Sequence, residues 1–175
     1  KDSSSTDIIV HAGKAISTFY QCGEGYVLDP ETLEQSGVAP WVPLDGISAH
    51  PKVDETTGEL LFFNYSKHAP YMHYGVVNRA GQLVHYVPVP LPGPRLPHDS
   101  WITENYTILH DLPMFWNPEL LNQGRKKMVF DQSMKTSFGV IPRYGSGKAV
   151  VWFGCDPTDI LHTVNAWEEG EDIIA

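Results

Sequence analysis

Met72-His73-Tyr74-Gly75-Val76-Val77-Asn78-Arg79-Ala80-Gly81-Gln82-Leu83-Val84-His85-Tyr86-Val87 is the stretch whose reading sets the fold class. Met72 to Val77 and Gln82 to Val87 are rich in β-branched and aromatic residues. Asn78-Arg79-Ala80-Gly81 joins them as a short, glycine-containing connection, so the whole reads as a β-hairpin. Upstream, Glu59 to Tyr65 reads as a strand behind the polar turn Asp54 to Gly58. Ala15 to Gln21 and Tyr26 to Leu28 read as strands before the turn Asp29-Pro30-Glu31-Thr32, where proline presets φ and Asp29 bonds the backbone ahead. Residues 1 to 14, Ser-rich and then mixed, read as a loop leading into the first strand. Downstream, Val87 to Pro97 repeats proline, which lacks a ladder donor, so it reads as a stiff connector. Trp101 to Leu112 reads as a strand pair or one long strand. Strands resume at Ser137 to Ile141, Ala149 to Gly154 and His162 to Trp167. Between them, 115–134 loses the alternation and reads as a short helical and loop excursion.

Short strands punctuated by Gly and Pro predict an all-β sandwich, barrel or propeller, and no WD or kelch repeat selects among them. The 175 residues suffice for one domain spanning 1–175, with 42% apolar and 19% charged residues. A net charge of -9 excludes a phosphate-backbone footprint, so no nucleic-acid partner is expected, and it disfavours electrostatic docking on an anionic membrane. Cys22 and Cys155 are too few for a disulfide framework, which suits a reducing, cytoplasmic setting. No run is long enough to span a bilayer and no signal-peptide pattern is visible. The chain opens at Lys1 without methionine and closes just after Glu171 to Ile174, which predicts a piece of a longer protein.

Eight histidines are present: His11, His50, His68, His73, His85, His98, His110 and His162. None forms the i, i+4 pair of a zinc protease, and no Cys–Cys spacing marks a structural zinc site. Three stand out by context. His50 sits in Gly46-Ile47-Ser48-Ala49-His50-Pro51 before a polar turn and strand, His98 closes the Pro-rich connector, and His162 heads an apolar segment. A ligand at a strand end, held by a rigid connector, is placed to point into a shared centre.

Three segments carry a resemblance. They are Ser48-Ala49-His50-Pro51-Lys52-Val53-Asp54 continuing to Leu60, His98-Asp99-Ser100-Trp101-Ile102-Thr103-Glu104-Asn105-Tyr106 with Asp111-Leu112-Pro113 beyond, and Leu161-His162-Thr163-Val164-Asn165-Ala166-Trp167-Glu168-Glu169-Gly170. In order and flanks they resemble the carotenoid cleavage oxygenases, the family of lignostilbene dioxygenases and the visual-cycle retinoid isomerase. Tyr26 to Glu34 fits the same pattern, so the likeness runs from about Ser17 to Asp172. It implies a seven-bladed β-propeller, of which this chain holds about three to four blades at ~40–45 residues each. It implies Fe(2+) held by histidines, with His50, His98 and His162 as metal ligands. The family's fourth histidine lies near its C-terminus, and nothing after His162 supplies one here. Neutral imidazoles hold Fe(2+) without adding negative charge and leave room for O2. The implied reaction inserts oxygen across a carbon–carbon double bond of an apolar polyene or stilbene, giving aldehydes or ketones.

The family also uses glutamates to accept the second ring N–H of its ligands. The position equivalent to the first falls at Gln21 or, with a small gap, at Glu24. Phe115, Trp116, Leu120, Leu121, Met128 and Phe130, with Arg125, Lys126 and Lys127, fall where related enzymes carry a membrane-dipping patch at a tunnel mouth. The other reading of 115–134 is an ordinary helix with an apolar face on the core. Phe62, Phe63, Tyr65, Tyr71 and Tyr74 are simplest as core, because alternation puts only every second one on a given face. The alternatives in function are a non-catalytic β-propeller binding module with structural histidines, a zinc hydrolase, which lacks a nearby carboxylate base, and isomerase chemistry within the family.

Overall fold

The structure is a computed structural model that describes residues 4–175. Three four-stranded antiparallel sheets follow one another along the chain. The first holds β1 (Asp7–His11), β2 (Lys14–Thr18), β3 (Tyr26–Leu28) and β4 (Gln35–Val38). The second holds β5 (Lys52–Val53), β6 (Leu60–Tyr65), β7 (Tyr71–Val77) and β8 (Leu83–Pro90). The third starts with β9 (Trp101–Ile102) and β10 (Tyr106–Asp111). It is interrupted by β11 (Met114–Trp116), α1 (Pro118–Asn122) and β12 (Met128–Phe130), and finishes with β13 (Thr136–Pro142) and β14 (Val151–Cys155). A hairpin of β15 (Trp167–Glu169) and β16 (Asp172–Ile174) follows. Successive four-stranded meanders are the blades of a propeller. The chain is all-β and builds three blades and a hairpin of the seven-bladed propeller that the resemblance implies.

The second blade explains the hydrophobic runs. In β6, Leu61 and Phe63 join Met72, Tyr74, Val76, Leu109 and Ile141 in one cluster, against the third blade. Leu60 and Phe62 join Ile16, Trp41, Ile47 and Val77 in another, against the first. A strand covered on both faces needs apolar residues at consecutive positions, which is why Leu60-Leu61-Phe62-Phe63 does not alternate. Each of these side chains is worth about 1.5–3 kcal/mol of burial. Gly75 pairs with Phe62, and a Cβ there would lie 2.5 Å from the Phe62 ring, so glycine makes room for the aromatic. Arg143 joins the second and third blades: its Nη1 donates to Asp54 Oδ2 at 2.6 Å and Glu59 Oε2 at 3.0 Å.

Several expectations need correction. Residues 7–11 form β1 rather than a loop, because Ala12 and Gly13 at positive φ close a two-residue hairpin to β2. Residues 1–3 of that expected loop lie outside the described residues. β2 stops at Thr18, short of Gln21, and β4 forms where the sequence carries no strand signal. Trp101 to Leu112 is a strand pair. The Pro-rich connector starts inside β8, whose Pro88 and Pro90 are tolerated because β8 is the sheet's edge and pairs only with β7. The expected strand from His162 is irregular up to Trp167, since the Thr163 amide is drawn to Asp99 instead of a strand partner. The excursion is mainly a β11–β12 hairpin, with α1 only five residues long. Cys22 and Cys155 form no disulfide.

His110 in β10 is 1% exposed, between the rings of Trp101 and Phe138. Burial pushes its imidazole down to about 4 despite the nearby Asp99 carboxylate. The unfolded chain, with an imidazole near the ordinary ~6.5, takes up the proton first. Stability contributed by neutral His110 is therefore present above about pH 6.5 and lost as pH falls toward 4, by about 3 kcal/mol in all. Urea unfolding of metal-free protein should show this loss shrink by most of that amount in His110→Leu. An equally steep acid limb in the variant contradicts it.

Candidate metal centre

The three histidines occupy one repeated place in the fold. His50 precedes β5, His98 precedes β9 and His162 precedes β15, each just before the first strand of a blade or hairpin. Blades arranged about one axis bring equivalent positions together, and these three imidazoles meet. One ring nitrogen from each lies within 4.8 Å of the others. The ring centroids are 4.7 Å apart for His50 and His98, 4.9 Å for His50 and His162, and 5.0 Å for His98 and His162.

The segment bearing His50 is tightly fixed. Gly46 at φ +79° turns the chain so close to the Cys22 and Gly23 carbonyls that a Cβ would stand 2.6 and 2.5 Å from them. The Ile47 amide then donates to Gly23, the Ser48 amide to the Phe63 carbonyl at 2.9 Å, and Asn64 Nδ2 to the Gly46 carbonyl at 2.9 Å. Ile47, Ser48 and Ala49 are buried, so His50 emerges from the core itself. His98 ends the Pro-rich connector, which Arg95 anchors by donating to Asp111 Oδ1 at 2.7 Å. The segment leading to His162 is tied at Thr158, whose amide donates to Thr136 Oγ1 at 2.9 Å. After it, Asn105 donates to both oxygens of Glu168 in β15.

The donor set fits a metal ion. His50 Nε2 and His98 Nε2 are 3.0 Å apart. Two nitrogens bound at right angles on one ion at about 2.1 Å stand ~3.0 Å apart. His50 Nδ1–H donates to Asp7 Oδ2 at 2.8 Å, which fixes the tautomer that leaves the Nε2 lone pair for a metal. Burial, then the neighbouring His50 and His162, hold the His98 imidazole below its ordinary range. A neutral ring is the form that ligates. His162 is the exposed member, with 58% of its side chain accessible.

The expected outer partners are a correction. Gln21 Nε2 donates to Tyr20 OH and Glu24 Oε2 accepts from Tyr26 OH, so neither hydrogen-bonds His50, His98 or His162. Both sit on the β2–β3 turn, where an adjacent tyrosine is the nearer partner. The carboxylate on His50 is Asp7, at the head of β1. The sequence alone does not reveal it, because residues 1–14 read as a loop. Asp7 opens the first strand of its blade much as the three histidines approach theirs.

Three of the other histidines serve the scaffold through their rings. His11 Nε2 bonds the Gly58 carbonyl, His85 Nε2 the Gly145 carbonyl, and His73 stacks on Tyr86. Phe62, Phe63 and Tyr74 are core residues. In the excursion, Phe115 lies under the Arg95 guanidinium and Lys126 stands over Trp116. Phe115, Trp116 and Leu120 are half-buried, whereas Leu121, Met128 and Phe130 are exposed. α1 buries none of its residues, so the reading of an ordinary helix packed on the core does not hold. Among the described residues no helix is long and apolar enough to cross a membrane.

Known proteins match this arrangement. The family model described as retinal pigment epithelial membrane protein matches residues 1–175. A carotenoid 9,10(9',10')-cleavage dioxygenase of Crocus sativus is 35% identical over 97% of this chain and 32% of its own length. An isoeugenol monooxygenase of Pseudomonas putida is 34% identical over 97% of this chain and 36% of its own. The crystal structure of a Pseudomonas brassicacearum lignostilbene dioxygenase superposes with a TM-score of 0.78 at 26% identity, covering 88% of this chain and 34% of that one. The chain thus spans about a third of the length of the curated relatives it matches. With three blades of matching topology and three histidines meeting at their centre, the chain belongs to the retinal pigment epithelial membrane protein family, that of the carotenoid cleavage oxygenases.

Proposed function

We propose that the protein containing this chain is a non-haem Fe(2+)-dependent oxygenase. It cleaves a carbon–carbon double bond of a carotenoid, apocarotenoid or stilbene with O2 and releases aldehyde or ketone products. The observation that carries this reading is the convergence of His50, His98 and His162. A binding module has no use for three imidazoles meeting at one point, and a zinc hydrolase needs a carboxylate base beside the metal. The two curated relatives, named as a carotenoid cleavage dioxygenase and an isoeugenol monooxygenase, support the same class.

Bound iron supplies the site where O2 and an electron-rich alkene react. The residues here do the holding. Asp7 orients His50, burial keeps His98 neutral, and the Pro-rich connector limits where His98 travels. No histidine follows His162 in the 175 residues, and we take the fourth imidazole to come from a further blade. The named substrates of the relatives range from a carotenoid to isoeugenol, so an extended or a short conjugated alkene fits the proposal.

We place the protein in the cytoplasm, in peripheral contact with a membrane. The β11–β12 hairpin supports the membrane contact. Trp116 pairs with Met128 and Met114 with Phe130, so these four share one face, while Arg125, Lys126 and Lys127 flank it in the open.

Two experiments test the proposal. Anaerobically loaded full-length protein should hold one iron per chain and convert carotenoid or stilbene substrates to carbonyl products detectable by mass spectrometry. His98→Ala should lose the iron and at least ~100-fold of activity, as removal of a ligand predicts. Iron retained in the variant would contradict the site. For the membrane contact, Leu121→Asp with Met128→Asp should reduce sedimentation with liposomes several-fold, and unchanged binding would sink that part.

A further inference from the structure

All three histidine-bearing segments reach one carboxylate. Asp99 follows His98 and is 3% exposed. Its Oδ1 lies 2.7 Å from Lys52 Nζ, two residues beyond His50, and accepts the Ser100 amide at 2.8 Å. Its Oδ2 accepts from Thr163, immediately after His162, through the amide at 3.0 Å and the hydroxyl at 2.9 Å. Thr163 Oγ1 also lies 3.1 Å from the Ser100 carbonyl, so its single proton is shared between that oxygen and Asp99. His162 Nδ1 is 3.8 Å from Asp99 Oδ2, beyond hydrogen-bond reach, so Asp99 acts on that segment through Thr163 rather than through the ring.

A carboxylate buried this deeply persists only where its charge and lone pairs are met. With Lys52, Ser100 and Thr163 all on its two oxygens, Asp99 is a fixed point shared by segments that are far apart in sequence. Ligands must be held within about 0.5 Å of their working positions for a metal site to keep its geometry. Among the described residues, no other side chain bonds groups adjoining all three histidines.

We propose that Asp99 is the positioning residue of the metal centre: one buried carboxylate clamps the segments bearing His50, His98 and His162 at the spacing a single ion requires. This role rests on the iron reading given above.

The test uses full-length protein, metal-free and anaerobic, titrated with cobalt(II) while its visible absorption bands are followed. Wild type should bind one cobalt per chain and His98→Ala should lose it. Asp99→Ala should weaken cobalt binding by about 10- to 100-fold, the range expected for outer-sphere partners, and shift the bands. Asp99→Asn keeps an acceptor for Thr163 without the charge for Lys52 and should fall between. Should Asp99→Ala fail to fold, Lys52→Met combined with Thr163→Val approaches the clamp from its more accessible partners, and a loss near tenfold is expected. Wild-type affinity and spectrum in either Asp99→Ala or the double variant overturn the clamp. So does a weakening matched in full by a lower melting temperature of the metal-free protein, which would mark a purely structural role. A wild type that takes up no cobalt overturns the iron reading and the clamp with it. Loss in His98→Ala beside tight binding in Asp99→Ala overturns the clamp alone.

Discussion

Burial of the second blade on both faces is the constraint on which the rest depends. Leu60 and Phe62 face one neighbour, Leu61 and Phe63 the other, and neither set tolerates a shift of one residue. A slip would exchange the two faces and disrupt both clusters at once. The register of β6 against β5 and β7 is thereby fixed, and with it the point at which the chain enters β5. His50 stands two residues before that point. Apolar packing thus sets where the His50 segment enters the centre, before Asp7 and Asp99 act on it.

The same logic gives the site its chemistry. Each blade begins near the common centre, so a histidine placed before the first strand of successive blades arrives there without a dedicated loop. Short connectors and deep anchors hold the rings, and burial favours the neutral form at His98. Two carboxylates stand around the rings. Asp7 contacts His50 directly, whereas Asp99 reaches the segments through their neighbours. Gln21 and Glu24, at the positions where the resemblance places outer partners, are engaged with tyrosines instead.

Much of this was legible in the sequence. The hairpin of residues 72–87 appears as read, because β-branched and aromatic runs around a glycine turn are local signals. The three histidines came from motif flanks, not from spacing, and the fold brings them together. What failed were features decided by distant partners. β1 is weak on its own and forms because β2 lies across a two-residue turn. The run from His162 has strand-forming residues, yet the Asp99 carboxylate takes its amide. The proline-rich end of β8 is permitted only by an edge position that no local reading supplies. Asp7 was missed for the same reason as β1, since its role depends on a histidine 43 residues away.

The proposed metal centre requires His50, His98 and His162 to bind one iron together. X-ray absorption at the iron edge of the full-length protein tests it most directly. The expected spectrum has a first shell of nitrogen and oxygen neighbours at about 2.1 Å, with the outer-shell scattering of at least three imidazoles, reduced by one ring in His162→Ala. A first shell containing sulfur, or an imidazole count unchanged by that substitution, would contradict it.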